Sequence, residues 1–353
     1  MKIKQYIALF AAALFVAACS NDDNGRLSPS GQDIDWFALS PSSDPTDQLR
    51  YEIYRDYGIS VFYNDTIGRQ ERGIDGYGDP IVHYEMLDPF YYVTGFGVGN
   101  YELSTNRTAI HTAVGIIRDR IISGLIPGSR PRNILLVDRL TTTVMSGLTP
   151  VERELVIHVG LRSTIISKVG QLDGMTPAQM TAYANEVLGT MWYEYAMTNY
   201  EVQMNEFFQV SELQWPPFIA SGPSQSIYRP SQLNRLLFQS GAPGDPNAVP
   251  PIPANQILNP NWRAHWNQYG FLTNSLVTTY VWENPAGSGI FTTWTPPSEE
   301  EDATSFFIAA FNYTEAEFAA IYEKPDTNPY YFLLLEKFQL IKQLIEQIKT
   351  DNQ

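Results

Sequence analysis

A single cysteine, Cys19, in a chain of 353 residues is the tightest constraint on what this protein can fold into. A bridge within a chain needs two thiols, so no disulfide can staple the fold and a packed core must hold it. Hydrophobic residues make up 44% of the chain and aromatic residues 13%, enough to build that core rather than leave the chain disordered. A length near 350 fits one large or two ordinary domains. The formal charge of −15 argues against sequence-independent nucleic-acid binding, which runs on Lys and Arg contacts to phosphate. It argues equally against docking on an anionic lipid surface.

Residues 1–18 read MKIKQYIALFAAALFVAA. Lys2 and Lys4 give a positive start, and Tyr6 to Val16 an apolar stretch too short to span a bilayer. Small residues Ala17 and Ala18 lead into Cys19, and Val-Ala-Ala-Cys resembles the lipobox of bacterial lipoproteins. The resemblance implies a signal peptide over 1–18 and a diacylglycerol on the Cys19 thiol. The following Ser20, Asn21, Asp22 and Asp23 resemble outer-membrane sorting with surface export in Bacteroidetes. The expected location is therefore an outer-membrane lipoprotein at the cell surface. Residues 19–44 then hold the lipidated Cys and a flexible tether, polar and Gly/Ser-rich over 20–33. Residues 45–353 form a single domain, since no internal repeat and no second long linker interrupts them.

Residues 46–57 suggest a helix capped by Thr46 or Asp47 and ended by Gly58, followed by a strand at 59–63. Residues 64–106 look loop-rich. Ile110, Val114, Ile117, Ile121 and Leu125 recur at helical spacing over 107–125. Residues 133–138 (NILLVD) look like a buried strand, and 154–169 hold two more. Thr176-Pro177 opens a long helix to about Asn199, with Pro at its first position. Further helices are expected at 230–240, 266–281, 301–310, 314–323 and 328–349, with an irregular loop at 241–260. Mixed helix and strand first, then mostly helix, predicts an α+β fold.

Histidines are few: His83, His111, His158 and His265. No two are three or four residues apart, so no helix presents an imidazole pair for zinc. The sequence holds no phosphate-binding loop, nucleophile elbow or dinucleotide fingerprint, and Gly95-Phe96-Gly97-Val98-Gly99 has the wrong spacing for the last. Carboxylates are plentiful (Glu85, Asp88, Glu194, Glu201, Glu206 and Glu299 to Asp302), but sequence does not say which face each other across a cleft. The tryptophans at 192, 215, 262, 266, 282 and 294 could stack on sugar rings, though such residues mostly fill cores.

Several segments together form a recognisable order: YRDYGISVFYND (54–65), NILLVDRL (133–140), the long helix from Thr176, GFLTNSLVTTY (270–280), EEDATSFF (300–307) and a terminal amphipathic helix. This order is similar to the zinc metallopeptidase lipoproteins of Bacteroidetes called substrate import-associated zinc metallohydrolases, which occur beside SusD-type uptake systems. The resemblance covers most of residues 45–349. It implies a zincin-like α+β fold, with a small mixed sheet near the N-terminal half and a mostly helical C-terminal half.

The family's long helix carries His-Glu-x-x-His, where this chain has Tyr193-Glu194-Tyr195-Ala196-Met197. The resemblance puts a third ligand at Glu301. A catalytic zinc needs three protein ligands and an open position for water. Tyrosine binds zinc well only when deprotonated, against a reference pKa of about 10. A thioether is soft and suits Cu(I). The expectation is therefore no metal and no other cofactor, with Glu194 a residual acid lacking an activated water to serve. The leading reading is a non-catalytic binding or accessory component of a SusC/SusD-type nutrient uptake system, its ligand a peptide or a glycan. The alternative is an active zinc-dependent hydrolase with ligands drawn from elsewhere, His158 and His265 first. A second alternative is a glycan-binding lipoprotein. Asp65-Thr66-Ile67 also resembles a Bacteroidetes O-glycosylation acceptor at Thr66.

Overall fold

The computed structural model describes residues 34–87, 90, 99–146, 149–161, 163–214, 226–228, 266–274, 276–284 and 287–352. The expected signal peptide, Cys19, most of the expected tether, Asp88, Trp215, Trp262, His265, the expected helix at 230–240 and the expected loop at 241–260 lie outside them. Residues 34–38 belong to an N-terminal unit and make a turn, with Ala38 N donating to Asp35 O at 3.2 Å. A second compact unit begins at Leu39.

Its first helix, α1 (Pro45–Tyr57), starts where Asp44 accepts from the amides of Thr46 and Asp47, and ends at Gly58 in the left-handed region at φ 70°. Strand β1 (Ser60–Phe62) follows, fully buried. Strands β2 (Thr66–Ile74) and β3 (Pro80–Met86) form an antiparallel hairpin, and β4 (Asn100–Leu103) comes next. The expected loop at 64–106 therefore contains three strands. The hairpin escaped the sequence reading because it is mostly exposed, so neither strand alternates cleanly between apolar and polar.

Helix α2 (Arg107–Ile116) runs into a wide turn at Ile117–Ile121 and a last turn at Ile122–Gly124. The predicted periodicity is real, since Ile110, Val114, Ile117, Ile121 and Leu125 are all buried, but one uniform helix does not span it. Strand β5 (Asn133–Ser146) is longer than expected. Its buried first residues pair in parallel with β1 and with β8 (Thr164–Ile166). Its later residues pair antiparallel with β4 and with β6 (Thr149–Glu154). Strand β7 (Ile157–Val159) pairs antiparallel with β8 and is an edge of the sheet, whose order is β1-β5-β8-β7. Burial of Ile134, Leu135 and Leu136 to 0% exposure is what a strand covered on both faces requires.

Helix α3 (Pro177–Asn199) begins at a capping box between Thr176 and Gln179. Helix α4 (Glu201–Glu212) follows it directly. The helix expected at 266–281 is not formed. Trp266–Tyr269 makes one 3-10 turn, Gly270 at φ 82° stops it, and strand β9 (Leu276–Asn284) pairs antiparallel with β10 (Gly287–Thr295). The run LVTTYVW is rich in β-branched and aromatic residues, which favours the strand. Helices α5 (Glu299–Asn312), α6 (Glu315–Tyr322) and α7 (Tyr331–Asp351) close the chain. The fold is α+β, with a small mixed sheet in the N-terminal half and helices toward the C-terminus. No described helix is long and apolar enough to cross a membrane.

Candidate functional site

Helix α3 is held in place from two sides. Trp192 Nε1 donates to Gly124 O at 3.0 Å, tying it to the end of the α2 region. On another flank it packs antiparallel against α5. Asn185 Nδ2 donates to Asn312 Oδ1 at 2.8 Å, and a Cβ on Gly189 would come within 2.5 Å of Ile308 Cγ1. Four residues forward on α3 thus match four residues back on α5. The same progression brings Tyr193 and Met197 level with the first turns of α5.

A cleft of about 380 Å³ opens beside α3. Met191, Glu194, Tyr195 and Thr198 form one wall, the β7–β8 turn with Val159 and Leu161 another, and Ser129 and Asn133 part of the rest. Its size lies in the range of small-molecule and peptide pockets. Glu194 is half-buried there, and no donor among the described residues bonds its carboxylate. Burial, and then the charge of Glu300, push its carboxyl above the ordinary range.

The other motif residues do not face this cleft. At roughly 100° per residue, Tyr193 and Met197 lie about 160° and about 120° round the axis from Met191, toward α5. Tyr193 is 8% exposed and belongs to the core, and Met197 packs against that core. Burial, with the charges of Glu300, Glu194 and Glu299, pushes the Tyr193 phenol above its ordinary value, away from the phenolate a metal would need. Glu301 is already engaged. One carboxylate oxygen pairs with Arg153, and the other accepts from Ser298 N at 2.8 Å in the capping box of α5. The residues at the three positions where the resemblance implies zinc ligands therefore do not fit zinc: a protonated phenol, a thioether and a committed carboxylate. Among the described residues, no group of three or more His, Cys, Asp or Glu side chains is placed to hold a metal ion.

The described histidines have other neighbours. His158 sits on β7, but strand alternation turns it from the side of Val159, and its ring lies 5.4 Å from that of Phe90. Burial lowers its pKa. His83 Nε2 lies 3.1 Å from Glu85 Oε2 on the exposed hairpin, and His111 Nδ1 lies 3.2 Å from Thr46 Oγ1. Glu201 and Glu206 are exposed on α4. Thr66 is partly exposed at the start of β2, with its hydroxyl 3.1 Å from Met86 Sδ.

Sequence reasoning named Asp302 among the candidate carboxylates but missed the cluster it belongs to. Lys337 and Asp302 are each 0% exposed, with Nζ 2.5 Å from Oδ2. Tyr228 OH donates to the same oxygen at 2.7 Å, and Lys337 Nζ donates to Ser211 Oγ at 3.0 Å. The rings of Phe207, Phe306 and Phe271 surround Nζ at 4.3, 5.0 and 5.1 Å. Burial pulls the lysine down to about 8, and burial raises the Asp302 carboxyl despite the lysine beside it. A signal was available, since Lys337 falls on the apolar stripe of α7, four residues from both Leu333 and Ile341.

Comparison with protein-family models, with curated proteins and with solved structures finds no match for this chain.

Proposed function

We propose that this protein is a metal-free, non-catalytic relative of the substrate import-associated zinc metallohydrolase lipoproteins. It is anchored at the outer-membrane surface through Cys19 and uses the cleft beside α3 to bind an extended peptide for a SusC/SusD-type uptake system. The zincin-like reading of the fold belongs to this proposal. A long helix bearing the motif Glu, an antiparallel edge strand beside it and helices packed on its far flank all support it.

The observation that carries the peptide reading is the outer edge of β7, which pairs with no other strand among the described residues. Ser167 N donates to Val156 O at 2.7 Å and Gly160 N to Ser163 O at 3.1 Å. Bonded and non-bonded pairs alternate along an antiparallel ladder. Those two bonds, with His158 opposite Ile165 between them, turn the backbone groups of Ile157 and Val159 outward. Val159 also lines the cleft. An added strand pairs with such an edge through its main chain, and side-chain pockets supply selectivity.

The test uses the mature protein. Metal analysis after purification should find far less than one zinc per chain, and casein should survive incubation with or without added zinc. A fluorescein-labelled peptide digest of casein should bind, and Val159→Pro should abolish that binding, because it removes an outward N–H at an edge that tolerates proline. About one tightly held zinc per chain, or peptide binding that Val159→Pro leaves unchanged, overturns the proposal.

A further inference from the structure

Of the three family metal positions, Glu301 alone carries a group suited to a divalent cation, and that group already has a cation. Arg153, on β6, pairs with its Oε1, while Ser298 N–H takes its Oε2. The side chains are 40% and 21% exposed, so the pair is partly withdrawn from water. An Arg–carboxylate hydrogen bond is charge-assisted. A zinc ion arriving at Glu301 would have to displace the guanidinium and then lie beside its positive charge.

Resting on the metal-free reading above, we infer that Arg153 is the resident cation of this site: its guanidinium takes the charge position at Glu301 that a metal would need. The chain is thus closed to zinc by an occupied carboxylate as well as by two missing imidazoles. The pair spans 148 residues of sequence and ties the β5–β6 hairpin to the first turn of α5. It does structural work of the kind a bound ion would do.

The experiment restores the imidazoles with and without the arginine. Wild type, Tyr193→His/Met197→His, and that double variant with Arg153→Ala are titrated with zinc by calorimetry and with cobalt by visible absorption. Far-UV circular dichroism checks folding. The double variant should bind weakly, and removing Arg153 should tighten binding by roughly 10- to 100-fold, the scale on which groups around a metal's ligands act. A double variant that binds as tightly as the triple one overturns the inference, and so does a triple variant that gains nothing. If the histidine variants fail to fold, a thermal-denaturation cycle of Arg153→Ala and Glu301→Gln decides it. Gln keeps the helix cap, so the cycle isolates the charge pair. Clear coupling between the two sites supports the inference and zero coupling overturns it. Tight zinc in wild type would instead sink the metal-free reading itself, a separate outcome.

Discussion

Replacing Lys337 by Met tests the central packing of the C-terminal helices. Met matches the lysine stem in length and keeps its contacts with Phe207, Phe271 and Phe306, so little volume is lost. It removes the positive charge and leaves Asp302, at 0% exposure, with Tyr228 OH as its donor at 2.7 Å. Asp302 Oδ1 already has no partner among the described residues. Removing one member of a buried ion pair costs about 3–5 kcal/mol, because the other charge is stranded. Replacing both members by groups of similar shape is often neutral or stabilising, because the desolvation of two charges disappears with them. Lys337→Met should therefore lower the thermal midpoint by roughly 5–10 °C, at about 2 °C per kcal/mol for a chain of this size. Lys337→Met/Asp302→Leu should recover most of that loss.

The pH dependence has a definite sign. The folded lysine titrates at about 8 against an ordinary 10.5. Between those values the unfolded chain binds more protons, so stability rises with pH across that window. That rise should vanish in Lys337→Met. Asp302 is raised above its ordinary 3.8, so its stabilising contribution is complete below about 3.8 and is lost as pH climbs through the raised value. The single variant should accordingly look least damaged in acid, where the stranded carboxyl takes a proton. Denaturation followed by circular dichroism at pH 5, 7 and 9.5 measures all of this. A single-variant loss below about 1 kcal/mol, or a double variant no better than the single, would refute the reasoning, since neither fits a fully desolvated pair.

Glu194 has a folded pKa above 4.5, so its stabilising contribution is complete below about 4.5 and is lost as pH rises through the raised value. Glu194→Gln should therefore be more stable than wild type at pH 7, with the gap closing below pH 4.5 in thermal melts. Gly189→Ala should destabilise by about 1–3 kcal/mol in urea titrations, because the new methyl overlaps Ile308 where α3 and α5 meet. Gly58→Ala should cost about 1 kcal/mol in the same assay, because the residue ends α1 at φ 70° with open space around it, so backbone strain alone acts.

How much of this was legible in the sequence depended on whether the signal was local. Thr176-Pro177 and the residues after it marked α3 to within a residue at each end, because an N-cap and Pro at the first position are written in adjacent letters. The strands at 133–138 and 154–169 stood out as short apolar runs because the first residues of β5, Ile157 of β7 and all of β8 are buried. Residues 266–281 misled because apolar spacing there admits both periods, and β9 forms through pairing with β10, which lies beyond the window. The cleft was out of reach for the same reason. Its walls come from segments near 128–133, 159–164 and 191–199, and only the last carries a motif, of which Glu194 and Tyr195 line the cleft. Lys337 and Asp302 are 35 residues apart on different helices, so their pairing is purely tertiary.

The geometry of α3 also separates residues that stand side by side in its sequence. Glu194 borders the cleft, whereas Tyr193 and Met197 turn toward α5. What fixes the cleft wall is the Trp192 bond to Gly124 and the close approach of Gly189 to Ile308, and neither involves a metal position. A tyrosine that is 8% exposed and a packed methionine supply apolar contact on the flank where ligands would have had to be held apart and oriented. The cleft wall on α3 rests on packing that does not involve residues 193 and 197. The cleft side of α3 and the side of Tyr193 and Met197 are thus set by separate contacts.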